Sequence, residues 1–354
     1  MERSLNKILE ESFRKNWDCA ALSDFKGITL HYRDVARRIE KLHIIFNICG
    51  VQKGDRIAIC SRNQANWGVV FLASLTYGAV PVPILHEFKP SNVHHIVNHS
   101  ESRVLFVGDM VWENLSESEM PNLDAIILIN DFSLVSAKSE QITDARERLN
   151  EMFGKKYPKN FGPEDINYHK EESGEELAMI NYTSGTSGFS KGVMIPYRAL
   201  LSNVLFAMEV MPKINNKSNV VSMLPSAHMY GMMFEFLFEM AVGAHVHFLT
   251  RIPSPRIIME AFATVKPDVI ISVPLIIEKI YKQKLQPILN KTSVKVLLKL
   301  PVIGPHIQNK IKDELVKTFG GKFYEIIVGG AAFNREADEF FNRIGFPYTV
   351  GYGM

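Results

Sequence analysis

One stretch of the chain gathers groups able to hold a polyphosphate: Asn181-Tyr182-Thr183-Ser184-Gly185-Thr186-Ser187-Gly188-Phe189-Ser190-Lys191-Gly192-Val193. Its three glycines let the backbone bend tightly and turn N–H groups inward, five Ser/Thr hydroxyls add donors, and Lys191 adds a full positive charge. The bland alternative is a flexible Ser/Gly-rich loop with a chance lysine. Two other nucleotide or nucleophile motifs compete for the same residues. Gly185 and Lys191 have the separation of a Walker loop, but Ser190 stands where its second glycine belongs and Gly192 where it needs a hydroxyl for Mg²⁺. Gly188-Phe189-Ser190-Lys191-Gly192 fits the Gly-x-Ser-x-Gly elbow of a serine hydrolase, yet several loop residues precede the serine and the following apolar run ends at Pro196.

A second candidate is His228, at the end of the apolar run Val220 to Leu224, where a mostly neutral imidazole can donate to a carboxylate or phosphate oxygen. Taken alone, a packed core histidine is the commoner case. Around it Met229, Met232, Met233 and Met240 interleave with Tyr230, Phe234, Phe236 and Phe238, which suits either an adaptable acyl channel or plain core. Tyr324 to Val328 reads as a strand closed by four small residues, Gly329, Gly330, Ala331 and Ala332, where a flat ring or chain can approach the backbone. His95 and His99 stand one helical turn apart beside His94, with no further ligand, so a solvated helix face is expected. His245 and His247 share one side of a strand and read as structural.

These residues need a scaffold, and the chain is long enough for one. Its 354 residues allow two packed subdomains with a sizeable core. Helical and strand patterns alternate throughout, the habit of a layered α/β protein with largely parallel sheets. Val35, Ile39, Leu42, Phe46 and Cys49 recur at helical spacing before a stop at Gly50; Arg56 to Cys60 is a strand, Gln64 to Tyr77 a buried helix, and Ala79 to Pro83 the next strand. Further strands are expected at Val104 to Val107, Ala125 to Ile129, Leu177 to Tyr182, Val220 to Leu224, Val246 to Leu249 and Val269 to Val273, with helices near Asp144 to Met152 and from Ala337 to Ile344 after a capping Asn334. Met1 to Asn16 reads as a short surface helix. Polar residues dominate 154–176, the expected linker between a first α/β subdomain, 1–153, and a second, 177–354.

Composition excludes several classes. Forty basic against thirty-eight acidic residues give a net charge of +2, which argues against a nucleic acid partner. Cys19, Cys49 and Cys60 form no CxxC or ligand spacing, in keeping with a reducing, cytoplasmic setting. The uncharged run Trp67 to Leu85 is broken by Gly78, Pro81 and Pro83, against a membrane span.

The loop at 181–193 resembles the Tyr-Thr-Ser-Gly-Thr-Thr-Gly-x-Pro-Lys-Gly signature of the adenylate-forming superfamily, which includes acyl-CoA synthetases, firefly-type luciferases and peptide synthetase adenylation domains. Ser187 replaces a threonine and Ser190 the usual proline. In the same order, Leu30 to Asp34, Gly50 to Ala58 and Tyr77 to Pro83 look like the family's opening scaffold, and Leu224-Pro225-Ser226-Ala227-His228 like its Leu-Pro-x-x-His segment. Val350-Gly351-Tyr352-Gly353-Met354 matches the start of its Gly-Tyr-Gly-x-Thr-Glu motif. The resemblance implies the N-terminal domain of an acyl-CoA synthetase-like enzyme, with the mobile C-terminal domain absent and the chain as it stands unable to complete thioester formation.

It further implies ATP, Mg²⁺ and coenzyme A as cofactor and co-substrates. Thr183, Ser184, Gly185, Thr186, Ser187, Gly188 and Lys191 would face the phosphates, with Thr183 on the metal; Gly330, Ala331, Ala332, Gly351, Tyr352 and Gly353 would face the nucleotide. His228, Tyr230, Gly231, Met232, Gly329 and Gly330 would border the acid, and Lys191 and His228 are the catalytic candidates. The stretch Asn290 to Gly321 resembles an insertion of bacterial long-chain enzymes, which implies a medium- to long-chain fatty acid substrate. A cytoplasmic enzyme with, at most, transient contact at the inner membrane face is the expectation for placement. Two alternatives stay open: a fatty acyl-AMP ligase serving a carrier protein, and a noncatalytic nucleotide- or acyl-binding fragment.

Overall fold

The computed structural model describes residues 4–183, 190–298, 300–301 and 303–351. Alternating apolar runs and amphipathic helices build it as the sequence predicts, in chain order. β1 (Ala20–Asp24) and β2 (Thr29–His31) form a hairpin. β3 (Arg56–Cys60), β4 (Val80–Ile84), β5 (Ser102–Val107), β6 (Ala125–Leu128) and β7 (Leu134–Ala137) make a sheet ordered β4-β3-β5-β6-β7, parallel except at the antiparallel β6–β7 edge. β8 (Leu177–Thr183) and β9 (Lys191–Pro196) pair antiparallel. β10 (Asn219–Ser222) and β11 (His245–Phe248) are parallel neighbours, and β11 also pairs parallel with β1, giving the order β10-β11-β1-β2. That sheet therefore joins strands from both sides of residues 154–176. β12 (Val269–Ser272), β13 (Glu325–Val328) and β14 (Tyr348–Val350) form a fully parallel sheet.

Helices cover these sheets, as parallel strands require. In the helix Tyr32–Ile48 the predicted face Val35, Ile39, Leu42 and Phe46 is buried. The helix Ala65–Tyr77 carries no charge and is buried on every side except at Tyr77; Gly78, at φ +86°, stops it in the left-handed region that a side chain resists. At thirteen residues it is a core helix, and among the described residues no helix is long and apolar enough to cross a membrane. Trp67 stacks on Phe71 at 5.3 Å and Phe236 meets both edge-on, which ties this helix to the segment after His228.

The structure amends three expectations. The N-terminal helix, Leu5–Lys15, is no surface element: Leu5, Leu9 and Phe13 are fully buried in the largest core, with Ser4 capping it. Its charges hide an apolar face spaced at i, i+4 and i+8. The helix expected near Asp144 to Met152 is two, Glu140–Glu147 and Leu149–Lys156, because Arg148 leaves helical geometry between them. The strand expected to reach Leu224 stops at Ser222, since the next two N–H groups leave the sheet to bond a side chain described below.

Candidate active site

The antiparallel register of β8 and β9 sets Thr183 directly opposite Lys191. Cross-strand partners point to the same face, so the hydroxyl and the ammonium emerge side by side, both exposed, at the mouth of the intervening loop. Ser184, Gly185, Thr186, Ser187 and Gly188 lie outside the described residues, and so do Tyr352 and Gly353. The chain enters a strand after Lys191, where a hydrolase elbow would enter a helix. Gly192 does not bend the loop as its type suggests. It sits within β9 opposite Tyr182, and a Cβ there would lie 2.9 Å from Ile180 and 3.1 Å from the Tyr182 ring, so its role is to admit that ring. The Tyr182 hydroxyl in turn meets His99 Nδ1 at 2.7 Å.

Two asparagines bring His228 to this hairpin. Asn181 Nδ2 donates to the Ala227 carbonyl at 3.0 Å in a buried bond, one residue before the histidine and two before Thr183. Asn63 donates to the Leu224 carbonyl at 2.6 Å and accepts from the Ser226 N–H at 2.8 Å. From the opposite side Glu235 accepts from the N–H groups of Met223 and Leu224 at 3.1 and 2.9 Å. Burial pushes this fully enclosed carboxyl well above the usual range, against the pull of the two N–H groups, so the clamp is a neutral acid. The segment 223–226 is thus fixed from both sides. His228 itself is exposed and caps the short helix Met229–Met232, its Nδ1 accepting a long 3.4 Å bond from the Tyr230 N–H. An accepting Nδ1 leaves Nε2–H as the donor of the neutral ring.

Tyr230 connects this segment to the third sheet. Its hydroxyl donates to the Ile327 carbonyl at 3.3 Å, and its ring fills the space beside Gly329, where a Cβ would come within 2.9 Å of the ring tip. Burial pushes the phenol upward, so it stays protonated. Gly329 and Gly351 lie at adjacent carboxyl ends of β13 and β14, Gly351 N–H donating to Val328 at 2.8 Å. Gly330 turns at φ +85°, and Gly330, Ala331, Ala332 and Gly351 are exposed. The arrangement is a small-residue ledge at the end of a parallel sheet, the edge at which open α/β sheets take ligands. Gly231 and Met232 face the other way: Gly231 is buried, packed on Leu224 and Pro225, and Met232 is 1 % exposed within the main core.

His94, His99, His245 and His247 are tethers. His94 Nε2 accepts from Ser116 N–H, and His245 and His247 bond Ser23 and Asn219 while burial pulls them down to about 4 and about 3. The expected solvated face therefore holds only in part, since His94 and His99 both carry structural bonds. Among the described residues no group of three or more His, Cys, Asp or Glu side chains could hold a metal. Cys49 and Cys60 are buried thiols raised to about 12, inert as nucleophiles. A crevice of about 520 Å³ opens at the carboxyl ends of β3 and β5, with Arg62, His86, Asp109 and Asn130 in its wall. It excludes Thr183, Lys191, His228 and Tyr230, and Asn63 is its link to them.

The hydroxyl and the lysine paired at the hairpin mouth are thus tethered, through Asn181, to the segment that leads into His228. The chain belongs to the AMP-binding enzyme family, which matches residues 9–354. It is similar to long chain acyl-CoA synthetase 6, peroxisomal, of Arabidopsis thaliana, 26% identical over 94% of this chain and 48% of that protein. It is also similar to long-chain-fatty-acid–CoA ligase 5 of Rattus norvegicus, 25% identical over 88% of this chain and 48% of that one. The chain spans about half the length of the curated relatives it matches. In fold it resembles ATP-bound MatB of Rhodopseudomonas palustris, with a TM-score of 0.70 at 19% identity over 99% of this chain and 60% of that one. The anthranilate CoA ligase AuaEII in complex with anthranoyl-AMP gives 0.70 at 16% identity, covering 99% and 59%.

Proposed function

We propose that this chain carries the ATP- and acid-binding part of an AMP-forming ligase that activates a long-chain fatty acid and passes it to coenzyme A. The observation that carries the reading is the Asn181–Ala227 hydrogen bond, which anchors the base of the Lys191 hairpin to the His228 segment. In this reading Lys191 and the hydroxyls and N–H groups of Thr183, Ser184, Gly185, Thr186, Ser187 and Gly188 take the β- and γ-phosphates and stabilise the charge that builds on departing pyrophosphate. His228 directs Nε2–H at the fatty carboxylate as it attacks the α-phosphate. Gly330, Ala331, Ala332 and Gly351 form the floor for a flat base, with Tyr352 and Gly353 beyond them. Tyr230 and Gly329 border the acyl chain, backed by Gly231 and Met232.

Thr183 offers an exposed neutral oxygen, a donor that suits Mg²⁺ held chiefly through nucleotide phosphates. Bound there, the ion would supply charge neutralisation on those phosphates. The substrate class follows the long-chain names of the relatives and the resemblance of residues 290–321 to a long-chain insertion. Cytoplasmic placement, with contact at a membrane surface, belongs to the same reading.

Equilibrium binding separates the phosphate role from the rest of the site. Lys191→Ala should weaken ATP binding by roughly 10- to 100-fold, the worth of a charge-assisted bond, and leave AMP binding unchanged. Unaltered ATP affinity would remove Lys191 from the phosphates. Pyrophosphate release measured with acids of graded length then reads the acyl preference.

A further inference from the structure

Side chains alternate along β8, so Asn181 and Thr183 face one side of the hairpin and Tyr182 faces the other. The cross-strand register puts Lys191 on the side of Thr183 and Gly192 on the side of Tyr182. The first side is held by Asn181, through its bond to the Ala227 carbonyl. One such bond leaves the hairpin a hinge, able to twist about its own length. What opposes the twist lies on the other side.

The Tyr182 ring is buried in a core that it shares with Val93, Ile96 and Val97, the inner face of the helix Pro90–His99. Room for it exists because residue 192 has no side chain: a Cβ there would stand 3.1 Å from the ring carbon that bears the hydroxyl and 3.3 Å from the hydroxyl oxygen. That oxygen lies 2.7 Å from Nδ1 of His99, the last residue of the helix. Burial raises the phenol, so its proton stays on oxygen and is donated to Nδ1. Apolar packing holds the ring without giving it a direction, whereas a hydrogen bond to a helix anchored by three buried side chains does give one.

We propose that His99 is a positioning residue for the phosphate hairpin, acting through Tyr182 to hold Thr183 and Lys191 in their common orientation. Tyr182 points away from the face of that pair, so both residues act at one remove. Two consecutive side chains then anchor opposite faces of β8 to different parts of the fold, Asn181 to the segment that leads into His228 and Tyr182 to the helix Pro90–His99. The consequence for ATP rests on the ligase reading, because the phosphates are what the oriented pair would meet. The latch itself does not. A bond that served stability alone would affect every ligand of the site alike, whereas this one should favour those that reach the hairpin mouth.

Hydrogen exchange of the ligand-free 354-residue chain tests the latch, and equilibrium binding of ATP and AMP tests its consequence. Tyr182→Phe keeps the buried ring and His99→Leu alters an exposed residue, so both variants should fold, which circular dichroism checks. Each should speed exchange of the paired β8 and β9 amides about three- to tenfold, the worth of one hydrogen bond, and weaken ATP binding by a similar factor while AMP binding stays the same. The double variant should be no worse than either single one. His99→Asn, which keeps a polar atom near the place of Nδ1, should recover much of what His99→Leu loses. Unaltered exchange in Tyr182→Phe or His99→Leu, additive losses in the double variant, or equal weakening of ATP and AMP would each overturn the assignment. Faster exchange in both variants of a chain that binds no ATP would sink the ligase reading and leave the latch standing.

Discussion

At the scale of single residues, the site depends on polar side chains whose partners are backbone groups far away in sequence. Lys191 and His228 could be picked out because their types and neighbours announce chemistry. Asn63 and Asn181 could not, since a bond to a carbonyl across the fold leaves no spacing to read, and neither could Glu235, whose bonds to the nearby N–H groups of Met223 and Leu224 follow no helical or strand period. Glu235 also interrupts the apolar run Met232 to Leu237 without declaring that it is held neutral. Its neighbour Glu239 is a sharper case: fully buried, with neither oxygen bonded among the described residues, and raised by burial well above its ordinary value. A carboxyl raised on folding keeps its full contribution below the unfolded value near 4.5 and loses it as pH climbs toward the folded value. Glu239→Gln should therefore gain on the native chain as pH rises above 4.5, by about 1.4 kcal/mol for each unit until the raised folded value is passed. Urea unfolding at a series of pH values measures the gap, and a constant difference would show that the acid is ionised in the fold.

Among the elements, those with one clean periodicity were legible and those whose job is local geometry were not. The helix Arg335–Arg343 has Asn334 accepting from the Ala337 N–H at 3.1 Å and the buried face Ala337, Phe340 and Phe341, as the pattern demands. By contrast β9 hid itself, because Val193 and Met194 are both exposed and Gly192 looks like part of a turn. The contact between Tyr230 and Gly329 is of this second kind, a fit between a helix turn and a strand end. Gly329→Ala should displace the Tyr230 ring and cost about 1–3 kcal/mol, a penalty that should largely vanish in a Tyr230→Leu background. Chemical denaturation of the two single variants and the double variant measures the coupling, and additive losses would mean that the ring is not what the new methyl meets.

For the molecule as a whole, parallel α/β layering could be read from the alternation of runs, but the company each strand keeps could not. Nothing local assigns β1 to a place beside β11, since pairing partners are chosen by packing after the chain has doubled back. The first thirty-one residues fill the main core with Leu5, Leu9, Phe13 and Leu22 and cover the β11 edge with β1. Their removal should leave that edge open and the core unfilled, so the shortened chain should aggregate, as light scattering on heating would reveal. A soluble, monomeric product with native circular dichroism would contradict this. The same pairing also dictates a schedule for biosynthesis. Leu22 cannot meet Val246 until 224 further residues have been made, so the free edge of the β1–β2 hairpin waits that long for β11 and stays open meanwhile to chaperones or to another nascent copy.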